Sequence, residues 1–265
     1  MLILISPAKS LDYETSIKCD NFTLPHFTKE IQELSLQLKE LKAVDLEKMM
    51  GISKKLAELN FDRFQKFSSK FDLENSKQAL LVFDGDVYAP IKKDQFKKAD
   101  FEFAQKHLRI LSGLYGILKP LDLMQPYRLE MGTDFRKIKI EKFLKIKNLY
   151  QFWGDKISDF INYEVKNNDE KYVINLASEE YFSVVNPKKI SAKIINIIFK
   201  EKKGENYKII GINAKKARGL MVNFIIENKI QDIAKIKKFN LENYFFEKNM
   251  SDELNFVFVR ISQNN

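Results

Sequence analysis

The side chains in this sequence best suited to chemistry are cations set beside glycine, proline and helix starts, and the chemistry they suit is holding an anion, DNA foremost. The formal net charge is +9, from 45 Lys and Arg against 36 Asp and Glu. Such an excess favours acidic partners, nucleic acid or an anionic surface among them. Lysine supplies nearly all of it in a chain also rich in Ile, Asn and Phe, so part of the basicity is compositional bias. Arginine is the sharper signal, because a planar guanidinium makes bidentate contacts with phosphate that an ammonium cannot reproduce. Six occur: Arg63, Arg109, Arg128, Arg136, Arg218 and Arg260.

Five segments place cations where an anion would be held. In Asn213-Ala214-Lys215-Lys216-Ala217-Arg218-Gly219, Asn213 read as an N-cap puts Lys215, Lys216 and Arg218 in the first turns of a helix. There the macrodipole disfavours positive charge by about 0.3–1 kcal/mol each. A bound anion would offset that cost by meeting cations and free backbone N–H groups together; the alternative is that the cations simply face solvent. In Pro126-Tyr127-Arg128-Leu129-Glu130-Met131-Gly132, alternation over 127–131 predicts a short strand with Arg128 and Glu130 on one face, as a binding pair or a structural one. Arg109 could meet phosphate while Tyr115 stacks on a base, although core packing explains Tyr115 equally well. Lys9 follows Ser6-Pro7-Ala8 at the carboxyl end of an apolar opening run, where α/β sheets carry function. Finally, Leu46–Ala57 places apolar residues around Gly51-Ile52-Ser53-Lys54-Lys55, similar to a helix-hairpin-helix, whose backbone N–H groups hold a DNA phosphate. Ser53 stands where that motif usually has a second Gly, and an ordinary helical hairpin is the alternative.

Enzyme signatures are sparse. Two histidines, His26 and His107, and one cysteine, Cys19, give no metal-ligand spacing, no Cys–His dyad and no Glu-x-x-His pattern. No Walker loop or dinucleotide fingerprint occurs, so no cofactor and no stably bound metal are expected. Asp84-Gly85-Asp86 could bind Mg²⁺, but turn chemistry explains it as well. Ser6 and Lys9 are close enough in sequence to pair, and Trp153, Asp155, Asn175, Ser178 and Tyr181 could line a cleft, with Trp153 equally suited to a core. Whether such a cleft is catalytic stays open at this point. The lone Cys19 excludes an intrachain disulfide and fits a reducing compartment. The opening apolar run is short and lacks a basic leader, and no run reaches the ~20 apolar residues that span a bilayer. A cytoplasmic monomer, not attached to membrane, is expected.

These residues need positioning elements. The pattern predicts an opening strand to Ile5, a helix from a Thr28 cap with Ile31, Leu34, Leu38 and Leu41 on one face, and two short helices within 46–67. It predicts a buried strand at Leu80–Phe83, a helix over 94–107 and a strand at 108–111. A long Gly- and Pro-shaped connection to Gly132 follows, and then an exposed Lys-rich loop at 134–147. A helix over 149–165, a strand over 172–177, a hairpin over 192–212 and a second hairpin of 244–246 with 256–259 complete the chain. The fold class expected is α+β, a mixed α/β single compact domain over 1–265. It would hold a mixed central sheet and a helical subdomain at 28–75 that carries the hairpin element.

Taken in order, Ile5-Ser6-Pro7-Ala8-Lys9-Ser10-Leu11, Gly85-Asp86-Val87-Tyr88, Leu111-Ser112-Gly113-Leu114-Tyr115-Gly116, Pro120 to Gly132, Tyr150-Gln151-Phe152-Trp153-Gly154-Asp155, Asn175-Leu176-Ala177-Ser178 and Lys215-Lys216-Ala217-Arg218-Gly219-Leu220-Met221 resemble the YaaA family of bacterial peroxide-resistance proteins. The resemblance is collinear and runs from Met1 almost to the last strand. It implies a mixed α/β fold particular to that family, a positively charged cleft, a helix-hairpin-helix element and DNA binding without strong sequence preference. It also implies a role in surviving hydrogen peroxide, linked to low unincorporated iron and less Fenton damage to DNA. Ser10 departs mildly from the Thr frequent at that place. With so few metal ligands in the chain, any effect on iron is expected to be indirect. The alternative function is an enzyme acting on a nucleotide, nucleobase or phosphate-bearing small molecule in the same cleft.

Overall fold

The structure is a computed structural model that describes residues 1–138, 146–168 and 171–261. Its first strand, β1 (Leu2–Ile5), is buried along its whole length, as a run of branched apolar residues with parallel neighbours on both sides requires. After β2 (Ser10–Leu11) come three helices, α1 (Thr28–Lys39), α2 (Ala43–Met50) and α3 (Lys54–Lys66). Thr28 is the first residue of α1 and not its cap: Phe27 is the N-cap, and no side chain bonds there. The Phe27 ring packs 5.3 Å from Trp153 and 5.8 Å from Phe160, so burial fixes the helix start in place of a hydroxyl. Gly51 ends α2 at φ +62°, a left-handed cap that glycine adopts without strain. Ser53 caps α3, its Oγ accepting the Leu56 N–H.

Next are β3 (Lys77–Gln78), α4 (Ala79–Val82) and β4 (Phe83–Asp84). The run Leu80–Phe83, expected as a strand, is buried, but Leu80 to Val82 belong to one helical turn. The Lys93 ammonium donates to the Leu81 carbonyl at 2.9 Å and to that of Phe83 at 2.8 Å, satisfying acceptors that a ladder would otherwise take. Then follow α5 (Lys98–His107), β5 (Leu108–Ser112), β6 (Gly116–Leu118) and β7 (Leu123–Met124). Residues 139–145 of the lysine-rich stretch lie outside the described residues. The helix expected over 149–165 is two, α6 (Leu149–Trp153) and α7 (Lys156–Asn167), broken at Gly154, where φ is +48°. The remaining elements are β8 (Tyr172–Leu176), α8 (Glu179–Phe182), β9 (Lys193–Lys203), β10 (Asn206–Lys208), α9 (Gly211–Glu227), α10 (Ile233–Ile236), β11 (Phe245–Phe246) and β12 (Asn255–Ile261).

The main sheet is mixed, in the order β11-β12-β9-β8-β1-β5-β6, with β10 paired to β9. Its inner strands β12, β9, β8, β1 and β5 run parallel, and β11, β6 and β10 pair antiparallel. From β1 the chain moves to β5 on one side and later returns to β8 on the other. The strand order therefore reverses at β1, and the crevice outside the carboxyl ends of β1 and β8 is where open α/β sheets hold ligands. Apolar side chains of α1, α2 and α3 (Leu34, Leu38, Leu46, Phe64) are part of the same core as Ile3, Leu4 and Ile110, so the helical segment and the sheet share one continuous core.

Candidate anion site

A cavity of about 470 Å³ opens at that place. Its floor is the join between the two strand ends. The Ser178 N–H donates to Ser6 Oγ at 2.8 Å, and the Ser6 hydroxyl in turn lies 3.2 Å from Ser178 Oγ. The buried Tyr88 hydroxyl donates to the Ser6 carbonyl at 2.9 Å. These bonds explain why a serine ends β1: its hydroxyl replaces the ladder partner lost where the strands diverge.

Lys9 leaves this floor and meets Glu130 Oε2 at 2.9 Å, while Arg128 Nη2 donates to Glu130 Oε1 at 2.9 Å. One carboxylate thus aligns two cations, leaving a net positive charge. No strand forms over 127–131, yet the alternation holds: Tyr127, Leu129 and Met131 are buried and Arg128 and Glu130 lie on the other side. Arg128 Nε is buried and donates to nothing among the described residues. Among the described residues Lys9 makes no hydrogen bond with Ser6; its ammonium is taken by Glu130.

The third wall is α9. Its N-cap is Ile210 and its first residue Gly211, so Asn213 lies inside the helix and caps nothing. Lys215, Lys216 and Arg218 sit beyond the first turn, where the macrodipole has faded, which removes the helix-start argument for these cations. Position on the helix surface replaces it. Lys215 and Arg218, three residues apart, share the face that lines the cavity, whereas Lys216 is exposed and outside it. Gly219 makes this possible: a Cβ there would lie 1.9 Å from the Val87 carbonyl oxygen, so only glycine lets α9 lie on the Gly85–Pro90 turn and bring Arg218 to the cavity.

Arg218 is the electrostatic oddity. Burial pushes its guanidinium below the usual value, and among the described residues it makes no ion pair and no hydrogen bond. Desolvated charge without a partner costs free energy, and an anion would supply the missing contacts. Tyr181, buried at the junction with the Arg128 recess, has its hydroxyl held well above the usual value by burial, so it offers a neutral donor. Acids line the cavity too: Asp84, Asp86, Glu179 and Glu180. The lining is therefore of mixed charge, with Lys9, Lys215 and Arg218 facing these four acids, where the resemblance implied a positively charged cleft.

Other expected site residues lie elsewhere. Arg109 is buried in register with Leu4 and bonded through Nε to Glu164; Lys119 holds the other Glu164 oxygen at 2.8 Å. Burial would raise the Glu164 carboxyl, but these two cations outweigh it and hold it below the usual value. The guanidinium is thus committed to a carboxylate 55 residues away and lines a separate cavity of about 510 Å³. Tyr115 is fully buried, its hydroxyl accepting the Gln125 N–H at 2.7 Å and its ring 5.2 Å from Tyr127; it cannot stack on a base. Trp153 is core, donating through Nε1 to the Gly113 carbonyl at 3.0 Å. Asp155 pairs with Lys189 at 3.0 Å, and Asn175 joins Asn196 across β8 and β9 at 3.0 Å. Gly51, Ser53, Lys54 and Lys55 form an exposed hairpin outside the cavity. Sequence reading gave Arg63 no role, yet it lines a neighbouring cavity of about 770 Å³; its scarcity as an arginine was the available signal. Among the described residues no group of three or more His, Cys, Asp or Glu is set to hold a metal ion, and no helix is long and apolar enough to cross a membrane.

The family model for peroxide stress protein YaaA matches residues 1–250, and the chain belongs to that family.

Proposed function

We propose that this member of a peroxide-stress family acts in the cytoplasm by binding DNA at the strand-end cavity, gripping backbone phosphates with Arg218, Lys215, Lys9 and Arg128. The observation that carries the reading is Arg218, a half-buried guanidinium with no ion pair or hydrogen bond among the described residues, on a cavity that also gathers Lys9 and Lys215. Contacts of guanidinium and ammonium groups with phosphate carry no sequence information, so recognition is independent of sequence. The exposed Gly51 hairpin with Ser53, Lys54 and Lys55 is a second clamp, and Lys216 adds attraction from the rim. In this reading the protein protects against hydrogen peroxide and iron-dependent Fenton damage, acting on iron only indirectly, without a metal or cofactor of its own.

Fluorescence anisotropy with several unrelated DNAs over a salt series tests this. Similar affinities that fall steeply with salt are expected, and the double variant Lys215→Ala with Arg218→Ala should reduce the salt slope by about two. Absence of binding, or a slope that the variant leaves untouched, overturns the reading.

The carboxylates Asp84, Asp86, Glu179 and Glu180 favour a second reading, an enzyme acting on a nucleotide or other phosphate-bearing small molecule, whose hydroxyl and amino groups they would accept. Stabilisation of the protein by mononucleotides in thermal melts, in the absence of DNA binding, would select it.

A further inference from the structure

The cavity of about 770 Å³ shares Asp84 as a wall with the strand-end cavity. Its other walls are the exposed side of α3 with Asp62, Arg63 and Lys66, the segment Asp12-Tyr13-Glu14, and the Gln125-Pro126 bend, two residues before Arg128. Arg63 lines it from α3 and makes one weak contact, Nη1 to Asn60 Oδ1 at 3.4 Å. Among the described residues no carboxylate pairs with it. Burial pushes the Arg63 guanidinium below its usual value, and the positive charge of Arg128 acts in the same direction. The two adjoining cavities thus hold Arg63 and Arg218, half-buried and each unpaired with a carboxylate among the described residues, while Arg128 with its buried unbonded Nε lies in a small recess that opens beside the strand-end cavity at Lys9 and Tyr181.

Two features of this trough bear on what fills it. The guanidiniums lie in recesses, whereas a duplex is a stiff rod with its phosphates on a convex surface; it can touch the rims but not reach into both recesses together. A single strand bends into them. The trough also carries Asp84 and Asp86, whose side chains accept no hydrogen bond and make no ion pair among the described residues. Carboxylates repel phosphate, but they accept hydrogen bonds from the exocyclic amino groups of bases, and those amino groups are free on their pairing edge only in an unpaired strand.

Resting on the DNA-binding reading above, we propose that the two cavities form one trough for single-stranded nucleic acid. Successive phosphates lie toward Arg218 and Arg63 with Arg128 between them, and the amino edge of an unpaired base faces Asp84.

The test is fluorescence anisotropy at one fixed salt concentration, comparing a labelled single strand of about a dozen nucleotides, the range of known single-strand sites, with its duplex. The full chain is used as wild type, Arg63→Gln, Lys66→Gln and Arg218→Ala. The wild type should bind the single strand about tenfold more tightly than the duplex. Arg63→Gln should weaken single-strand binding about tenfold, the effect of one charge-assisted contact, and leave duplex binding unchanged. Lys66→Gln, an exposed change in the same cavity that leaves the fold intact, should weaken the single strand by a smaller factor; circular dichroism melts check the folding of each variant. If the duplex binds as tightly as the single strand, or Arg63→Gln and Lys66→Gln change nothing while Arg218→Ala abolishes binding, the trough is wrong and the DNA reading survives. If neither form of DNA binds the wild type, both fall.

Discussion

The backbone N–H of Ser178 donates to Ser6 Oγ at 2.8 Å, joining residues 172 apart in sequence into the floor of one cavity. The donor is part-buried, so leaving it without its acceptor costs about 1 kcal/mol, the low end of the range, because water in the cavity can take the place of the hydroxyl. Ser6→Ala should therefore lower the unfolding free energy by that amount in urea titrations, with a fall in Tm of a few degrees for a chain of this size. DNA affinity should fall only modestly, because Ser6 positions the site and holds no phosphate. Loss of all binding with unchanged stability would contradict this division of labour.

Glu130 sits between Lys9 and Arg128, and neutralising it should release both cations to the ligand. For Glu130→Gln we expect tighter DNA binding at low salt and a salt slope steeper by about one. Anisotropy over a salt series reads both. Weaker binding at every salt concentration would mean that the carboxylate's alignment of Arg128 matters more than its charge.

Gly219 is the point at which α9 touches the Val87 backbone. Gly219→Ala must push the helix away, an overpacking that costs about 1–3 kcal/mol or more, and the displacement carries Arg218 with it. Reduced urea stability should appear together with a loss of DNA affinity approaching that of Arg218→Ala. Normal stability with normal binding would show that α9 need not lie so close.

What the sequence revealed, and what it hid, follows from the range of the interactions involved. An apolar run was enough for β1 and most of β8, and alternation for β9, where every second residue from Ile195 to Glu201 is buried; the second strand of that hairpin, expected to reach Ile212, ends at Lys208, and Gly211 and Ile212 already belong to α9. Leu80–Phe83 was ambiguous because a short apolar run is buried either way, and the donor that satisfies the carbonyls of Leu81 and Phe83 is the Lys93 ammonium, ten and more residues on. Asn213 imitates a cap, but the helix begins two residues earlier, where β10 has already ended. Arg109 imitates a phosphate ligand because its partner Glu164 lies on a helix 55 residues away. Lys9 and Arg218 line one cavity, and Glu130 ties Lys9 to Arg128; the meeting of Lys9 with Arg218 follows from the reversal of strand order at β1, which no local pattern contains. The strand-end position of Lys9 was the one legible clue to it.

Asp122 gives a pH dependence whose sign can be worked out. Its buried carboxyl accepts the Thr23 hydroxyl at 2.5 Å and the Lys119 N–H at 2.7 Å. Burial outweighs these bonds and the charges of Lys119 and Arg109, and the pKa is pushed up to about 6 from 3.8. In the unfolded chain the proton leaves near the ordinary value, so between about pH 4 and pH 6 the native state binds more protons than the unfolded one. This contribution to stability is complete below about pH 4 and is lost as pH rises through about 6, on the order of 3 kcal/mol in all. Asp122→Asn removes the titration. It also replaces the acceptor facing the Lys119 N–H, a penalty that is the same at every pH. Glu164, held low by Arg109 and Lys119, contributes the opposite slope at more acidic pH and is common to both proteins. The difference in unfolding free energy, wild type minus Asp122→Asn, should therefore fall steadily from pH 4 to pH 7 in urea titrations. Parallel profiles across that window would place the Asp122 titration elsewhere.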